Sequence, residues 1–302
     1  MPYRPDIDGL RAIAVIGVLL FHADLGVSGG YVGVDVFFVI SGFLITGLIL
    51  KELRDKSFSV LGFWERRVRR IVPALFVVTL ATVLLGYVFL LPAEYKMLGS
   101  SVLWLSVISS NLFFWKNTNS YFGGASEEMP LLHTWSLSLE EQFYLIVPFV
   151  LLVLFRAGKS RSIFWIICSF VLLSCGLSIY GMADHGSATF YLLPTRAWEL
   201  GTGSLVALAV PIRSVRIRTM MQWVGMACVL IPFFIYNRAT IFPGMAAVPP
   251  VAGTAILIWA GMGEAHKTNS LHVQRILSMK PIVWIGLLSY SLYLWHWPLL
   301  AF

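Results

Sequence analysis

Near the head of the chain one histidine and two aspartates stand close together around a turn. His22 is followed after two residues by Asp24 and after thirteen by Asp35. The turn between them is rich in glycine, with Gly26, Gly29, Gly30 and Gly33. Histidine is the side chain whose ordinary pKa suits a proton acceptor at neutral pH, and a carboxylate is the usual group that orients its ring. Each ionisable group inside an apolar span costs about 2.5–3.5 kcal/mol on insertion scales, which makes such groups functional candidates by default. The trio therefore reads as a base, His22, with Asp35 or Asp24 to hold it. The bland alternative, a wet interfacial position, fits one such residue better than all three.

Arg11 stands at the other end of the same stretch, with ten residues lacking polar side chains between it and His22. Eleven positions on a helix are close to three whole turns, so both side chains share a face, roughly 16 Å apart along the axis. Arg66, Arg69 and Arg70, in RRVRR, share another face at i, i+3 and i+4. Planar guanidinium groups suit phosphates, and with Arg11 they fit a phosphorylated ligand. Topological anchoring would explain the same arginines.

Three further segments hold polar groups beside apolar runs. HTWSLSLEEQFY (133–144) contains His133, Glu140 and Glu141, and Ser138 with Glu141 matches a capping box that would make Glu141 structural. Both glutamates stay candidates. In LPTRAWEL, Arg196 and Glu199 at i, i+3 suit an ion pair with each other or with a neighbouring span. His296, between Trp295 and Trp297, fits an aromatic belt at an interface. Ser41, before Gly42, reads as a small-residue helix contact. No metal site is expected. Cys168, Cys175 and Cys228 lack metal-ligand spacing, and seven helical residues separate the first two by roughly 10 Å, too far for a disulfide.

The elements that must position these groups are transmembrane helices. The chain is 58% hydrophobic and 12% charged, with a mean hydropathy of +0.80, far from the quarter charged of soluble domains. Apolar runs approach the roughly 20 residues that a bilayer span needs. The first two are about 10–25 and 34–50. Residues 51–70, with seven Lys/Arg and Phe58, Leu61, Phe63 and Trp64, suit an amphipathic helix lying in the interface. A third span follows from Ile71, and later runs cover 137–155, 162–182, 197–210, 219–236, 245–263 and 282–302. An all-α polytopic bundle of about nine to ten spans, in a single domain over 1–302, is the expectation. The charged start carries Asp6 and Asp8 and no cleavage site follows it, so the first segment reads as retained rather than as a signal peptide.

Charge bias sets the topology. The net charge is +7, but the basic residues cluster at the ends of apolar runs, which points to positive-inside orientation and not to nucleic acid. The clusters are 51–70, Arg156/Lys159/Arg161, Arg213/Arg216/Arg218 and Lys267/Arg275/Lys280. If all are cytoplasmic, an even number of crossings separates Arg70 from Arg156. The stretch 97–115, with five serines and Asn111, is then interfacial or re-entrant from the outer side and the N-terminus is cytoplasmic. His22, Asp24, Asp35 and the segments at 133–144, 191–203 and 289–298 gather on the outer face.

YRPDIDGLRAIAVIGVLLFHA, GGYVGVDVFFVISGFLITG, ERRVRRIVPAL, PLLHTWSLSLEEQFYLIVP, LPTRAWELGTGS and IGLLSYSLYLWHWP resemble, in order and over nearly the whole chain, the acyltransferase-3 family of integral membrane O-acyltransferases. The Arg11 and His22 pairing matches that family's signature. The resemblance implies acyl-CoA, acetyl-CoA above all, as a cytoplasmic co-substrate with no bound cofactor. It also implies a cell-surface carbohydrate or lipid-linked glycan as acceptor at the outer face of a bacterial inner membrane. Similar proteins continue beyond the point where this sequence stops, with a further span and in some cases an outer SGNH domain, so the chain resembles the membrane part of a longer protein.

On this reading His22 takes the acceptor proton, Asp35 or Asp24 orients it, and Arg11, Arg66, Arg69 and Arg70 bind the CoA phosphates. A covalent relay through Ser41 or a tyrosine stays open. The rival class is a transporter or flippase of an envelope precursor, which also uses intramembrane charges. Against it, no inverted repeat is visible and the polar groups crowd one face.

Overall fold

The structure is a computed structural model that describes residues 3–118, 121–123, 128–158, 162–262 and 272–302. Among these every regular element is helical. In chain order they are α1 (Pro5–His22), a 3-10 turn (Gly30–Val32), α2 (Gly33–Arg54), α3 (Val60–Phe89), α4 (Pro92–Ser106), α5 (Ser110–Asn117), α6 (Thr134–Arg156) and α7 (Ile163–Gly181). Then follow α8 (Gly186–Tyr191), α9 (Leu193–Leu208), α10 (Val215–Ile235), a second 3-10 turn (Gly244–Ala247), α11 (Val248–Ala260), α12 (His272–Leu277) and α13 (Lys280–Ala301).

Five described segments are long and apolar enough to cross a bilayer by length and composition: Gly30–Arg54, Val60–Phe89, Thr134–Arg156, Ile163–Gly181 and Val215–Ile235, with Gly244–Ala260 as a shorter apolar one. α1 has 18 residues but opens with Asp6, Asp8 and Arg11, and α13 has 22. At 1.5 Å per residue these two reach about 27 and 33 Å.

α2 is the hub, with 78% of its apolar window buried against 17% for α3, whose exposed Leu80, Leu84 and Phe89 suit lipid. α9 runs parallel to α2 at backbone contact. Gly42 sits against the Leu200 carbonyl and Gly203 against the Val39 carbonyl, where any Cβ would overlap. The Thr46 hydroxyl donates to Ser204 at 2.7 Å in the same seam. This is the small-residue packing that lets membrane helices meet where burial gives little drive.

Residues 51–70 do not form a separate interfacial helix. α2 runs on to Arg54, a short turn follows with Lys56 at φ 54°, and Ser59 caps the Gly62 N–H to start α3. The amphipathic stretch is thus the first turns of one 30-residue helix, with Pro73 in its interior. The stretch 97–115 is broken in two. α4 descends from the end of α3, stops at 107–109, where Ile108 has φ 58°, and α5 climbs back. Gln142 of α6 donates to the Ile108 carbonyl and to Asn111 Oδ1, each at 2.9 Å. Irregular backbone at membrane depth is tolerated where protein groups satisfy it in this way. Ser138 lies one turn inside α6, which opens at Thr134, and pairs with Ser110 at 2.7 Å. The capping box with Glu141 therefore does not form.

α1 is antiparallel to α2, and α6 and α9 are parallel to α2. The pairs Arg66–Glu52 and Arg218 with the Ala260 carbonyl, and the packing of Gly9 on Leu277, bring the described basic clusters to one end of the bundle. His22, Trp135 and His296 lie toward the other. Lys159, Arg161 and Lys267 lie outside the described residues. Cys168, Cys175 and Cys228 are free thiols.

Candidate active site

His22 is the last residue of α1. The chain leaves the helix through Asp24 (φ 58°) and Gly26 (φ 78°), so its ring projects at the end of the bundle. Nδ1 lies 3.1 Å from Nε2 of His296, and Nε2 lies 2.9 Å from the hydroxyl of Tyr121. Trp297 packs edge-on to the ring at 4.6 Å and is itself fixed by its indole N–H, which donates to the Met129 carbonyl at 2.8 Å. His296 Nδ1 lies 2.6 Å from the Tyr293 carbonyl. His133, 1% exposed, lies beside this group with its ring 5.7 Å from those of His296 and Tyr293. Neither of its ring nitrogens has a hydrogen-bond partner. Three histidines distant in sequence thus form one cluster.

Below them a cavity of about 380 Å³ opens between α1, α2, α3, α6 and α13. Arg11, Arg67 and Arg70 line its basic end, Ser41, Glu140 and Tyr144 its middle, and Ser136 and Tyr293 the end nearest the histidines. Glu140 accepts from the Ser41 and Tyr144 hydroxyls, each at 3.1 Å. Arg11 holds Asp8 at 3.2 Å. The Tyr293 hydroxyl donates to the His133 carbonyl at 3.1 Å and pairs with Ser136 at 2.6 Å. His22 is not in the cavity wall, and this hydrogen-bonded layer lies between the two.

The carboxylates expected to orient His22 do not do so. Asp35 is fully buried, 3.2 Å from Arg196, which is also 3.2 Å from Glu199. The Arg196 guanidinium is enclosed by the rings of Phe38, Trp135, Phe190 and Phe242 at 5.4–5.7 Å. This charged trio ties α2 to α9 and is separate from the histidines. Asp24 is exposed on the turn. Both ring nitrogens of His22 are taken by His296 and Tyr121, so His296 is a member of the cluster and not merely part of an aromatic belt.

The arginine face also shifts. Arg66 is bound to Glu52 at 2.7 and 2.9 Å and Arg69 to Glu65 at 2.6 Å, both outside the cavity wall. Arg70 lines it, and its companion there is Arg67. The i, i+3 relation of Arg67 and Arg70 is visible in RRVRR and marks the inward face, whereas Arg66 and Arg69 point away from the cavity. Ser41 faces the cavity, and only its neighbour Gly42 makes the close helix contact. Glu141 leaves Oε1 buried without a partner and is not in the cavity wall. Tyr121 lies in none of the motifs, and Tyr293 lies in SYSLYLWHWP, where nothing in the sequence marks it out. Among the described residues no group of three or more His, Cys, Asp or Glu side chains is arranged to hold a metal ion.

The family model described as Acyltransferase domain, of the acyltransferase-3 family, matches residues 4–302. Similar curated proteins include the peptidoglycan O-acetyltransferase OatA of Listeria monocytogenes, 32% identical over 99% of this chain and 50% of the relative. The O-acetyltransferase OatA of Staphylococcus aureus is 34% identical over 99% of this chain and 51% of the relative. The chain spans about half the length of these relatives. No solved structure matches it.

Proposed function

Because the chain belongs to the acyltransferase-3 family of membrane acyltransferases, we propose that it moves an acetyl group from acetyl-CoA to a hydroxyl of an envelope glycan. Peptidoglycan, named in its relatives, is the first acceptor to test. The basic end of the bundle faces the cytoplasm of a bacterial inner membrane, the N-terminus included, by the positive-inside bias. The observation that carries the reading is the alignment of two unlike sites along α1 and α13. An arginine-ended cavity opens at one end, and a histidine whose Nε2 meets a tyrosine hydroxyl stands at the other.

In this reading Arg11, Arg67 and Arg70 bind the CoA phosphates through charge-assisted hydrogen bonds. The thioester arm runs along the cavity, past Glu140, Ser41 and Tyr144, and passes Tyr293 to reach His22. The acceptor hydroxyl takes the place of the Tyr121 hydroxyl at Nε2 of His22. Its proton moves to Nε2 as its oxygen attacks the thioester carbonyl carbon. The tetrahedral intermediate breaks its C–S bond, and the CoA sulfur leaves with the proton returned from the imidazolium. The 2.9 Å contact of Tyr121 also favours a second route, in which the phenol oxygen carries the acetyl group before the acceptor does.

The test is release of CoA from acetyl-CoA by membranes containing the protein, with mass spectrometry of envelope glycans from cells with and without it. CoA release and acetylated glycan together are expected. No CoA release from correctly folded protein overturns the reading. Acetyl found on Tyr121 after brief exposure to donor selects the second route.

A further inference from the structure

We propose that His296 is a positioning residue for this transfer, holding His22 in the one tautomer and orientation that leave Nε2 free to accept the acceptor proton. The inference rests on the acyl-transfer reading above. Its basis is a directional chain of hydrogen bonds. The Tyr293 carbonyl can only accept, so the 2.6 Å contact puts a proton on His296 Nδ1. A neutral His296 then presents a lone pair at Nε2. The 3.1 Å contact with His22 Nδ1 is satisfied only if His22 carries its proton there. Nε2 of His22 is left with its lone pair, and the Tyr121 hydroxyl donates to it at 2.9 Å.

The rings are set for this bond. Their centroids are 5.1 Å apart with planes 26° from parallel, close to the 3.1 Å nitrogen separation plus the two ring radii. They therefore meet edge to edge, with the N–H directed at the lone pair. His296 is 7% exposed and comes from α13, 274 residues away in sequence. Trp297, the next residue, closes another side of the His22 ring. A neighbouring histidine thus fills the part that an aspartate fills in other histidine-based sites. When His22 takes the acceptor proton on Nε2, its Nδ1–H stays bonded to His296 and the cation is steadied by a neutral ring.

The test has two arms. In protein labelled with ¹⁵N-histidine in lipid nanodiscs, ring-nitrogen resonances report which nitrogen of His22 carries the proton. Wild type is expected to show Nδ1 protonated and Nε2 bare, and His296→Ala to show mixed tautomers. In turnover, His296→Ala is expected to lower kcat by on the order of 10²–10⁴, the contribution of a general base that is no longer held in its working tautomer, with KM for acetyl-CoA unchanged. His296→Gln, whose side-chain carbonyl can accept from His22 Nδ1, should restore the tautomer and keep kcat within about tenfold. Acetyl-CoA binding checks the fold, and if the alanine variant does not fold, the glutamine variant and the wild-type tautomer decide. Wild-type His22 protonated on Nε2 overturns the inference, as does an alanine variant with tautomer and kcat intact. A glutamine variant as inactive as alanine with the tautomer preserved overturns it too. Absence of CoA release by wild type with the tautomer order intact defeats the transfer reading instead.

Discussion

Nε2 of His22 and the hydroxyl of Tyr121 lie 2.9 Å apart, although one residue ends the first helix and the other follows a hairpin that dips into the bundle and returns. A histidine and a hydroxyl are thus held together at one end of the bundle, while Arg11, Arg67 and Arg70 line the cavity toward the other. Substituting His22 with alanine should lower turnover by the 10²–10⁴ typical of a lost general base, with acetyl-CoA binding kept. CoA-release kinetics beside calorimetric donor binding would check it. Turnover near wild type would move the base elsewhere, with His133 next to test. Tyr121→Phe should keep turnover if the acceptor reacts directly and lose it if the phenol carries the acetyl group.

The inward and outward arginines should separate. Arg67→Ala and Arg70→Ala should each weaken acetyl-CoA binding by about tenfold or more, since hydrogen bonds to charged groups contribute about 1.5–3 kcal/mol. Arg66→Ala and Arg69→Ala should change it little, because these side chains are paired with Glu52 and Glu65 outside the cavity. Equal losses in all four, by isothermal titration on purified protein, would count against the cavity as donor site.

Asp35 and Asp24 should differ in kind. Asp35→Ala leaves Arg196 buried among aromatic rings with one carboxylate fewer, and breaking a buried pair costs about 3–5 kcal/mol. A lower unfolding temperature and poor recovery from the membrane are expected. Asp24→Asn, on an exposed turn, should leave both stability and turnover unchanged. A stable Asp35→Ala protein that is slow only in turnover would return Asp35 to the reaction.

The proposed orientation makes a labelling prediction. Cysteines at Ser57 and Ser214, exposed at the basic end, should resist an impermeant thiol reagent added to intact cells. Cysteines at Leu25 and Ala239, exposed at the histidine end, should react. The reverse pattern would invert the sidedness.

What could be read from the sequence was what depends on one helix or on charge parity. A single helical repeat places Arg11 and His22, and an even number of crossings between Arg70 and Arg156 favours an interfacial or re-entrant 97–115 over a full span, which the break at 107–109 matches. Partnerships across the bundle could not be read. Asp35 belongs to Arg196 because α2 and α9 meet at Gly42 and Gly203, and that register joins residues 161 positions apart. His296 reads as part of an aromatic belt because its neighbours in sequence are tryptophans, while its partner in space is on the first helix. Arg67 does not stand out in the sequence, for a geometric reason. Two arginine faces coexist in RRVRR, and only the packing of α3 on α6 decides which looks inward.

The layer formed by Tyr293, Ser136 and the His133 carbonyl bears on the cell as well as on the reaction. An acetyl group that crosses this bundle needs a route from the arginine cavity to His22, and a route left standing open would carry water and protons down the membrane potential. Each elementary charge so moved dissipates about 2.3 kcal/mol per 100 mV. On the proposed route, the Tyr293 hydroxyl, bonded to Ser136 and the His133 carbonyl, is the group that would have to move for the acetyl arm to pass. If that route is used, a closed Tyr293 layer would let a membrane hold many copies without losing the gradient on which the cell runs.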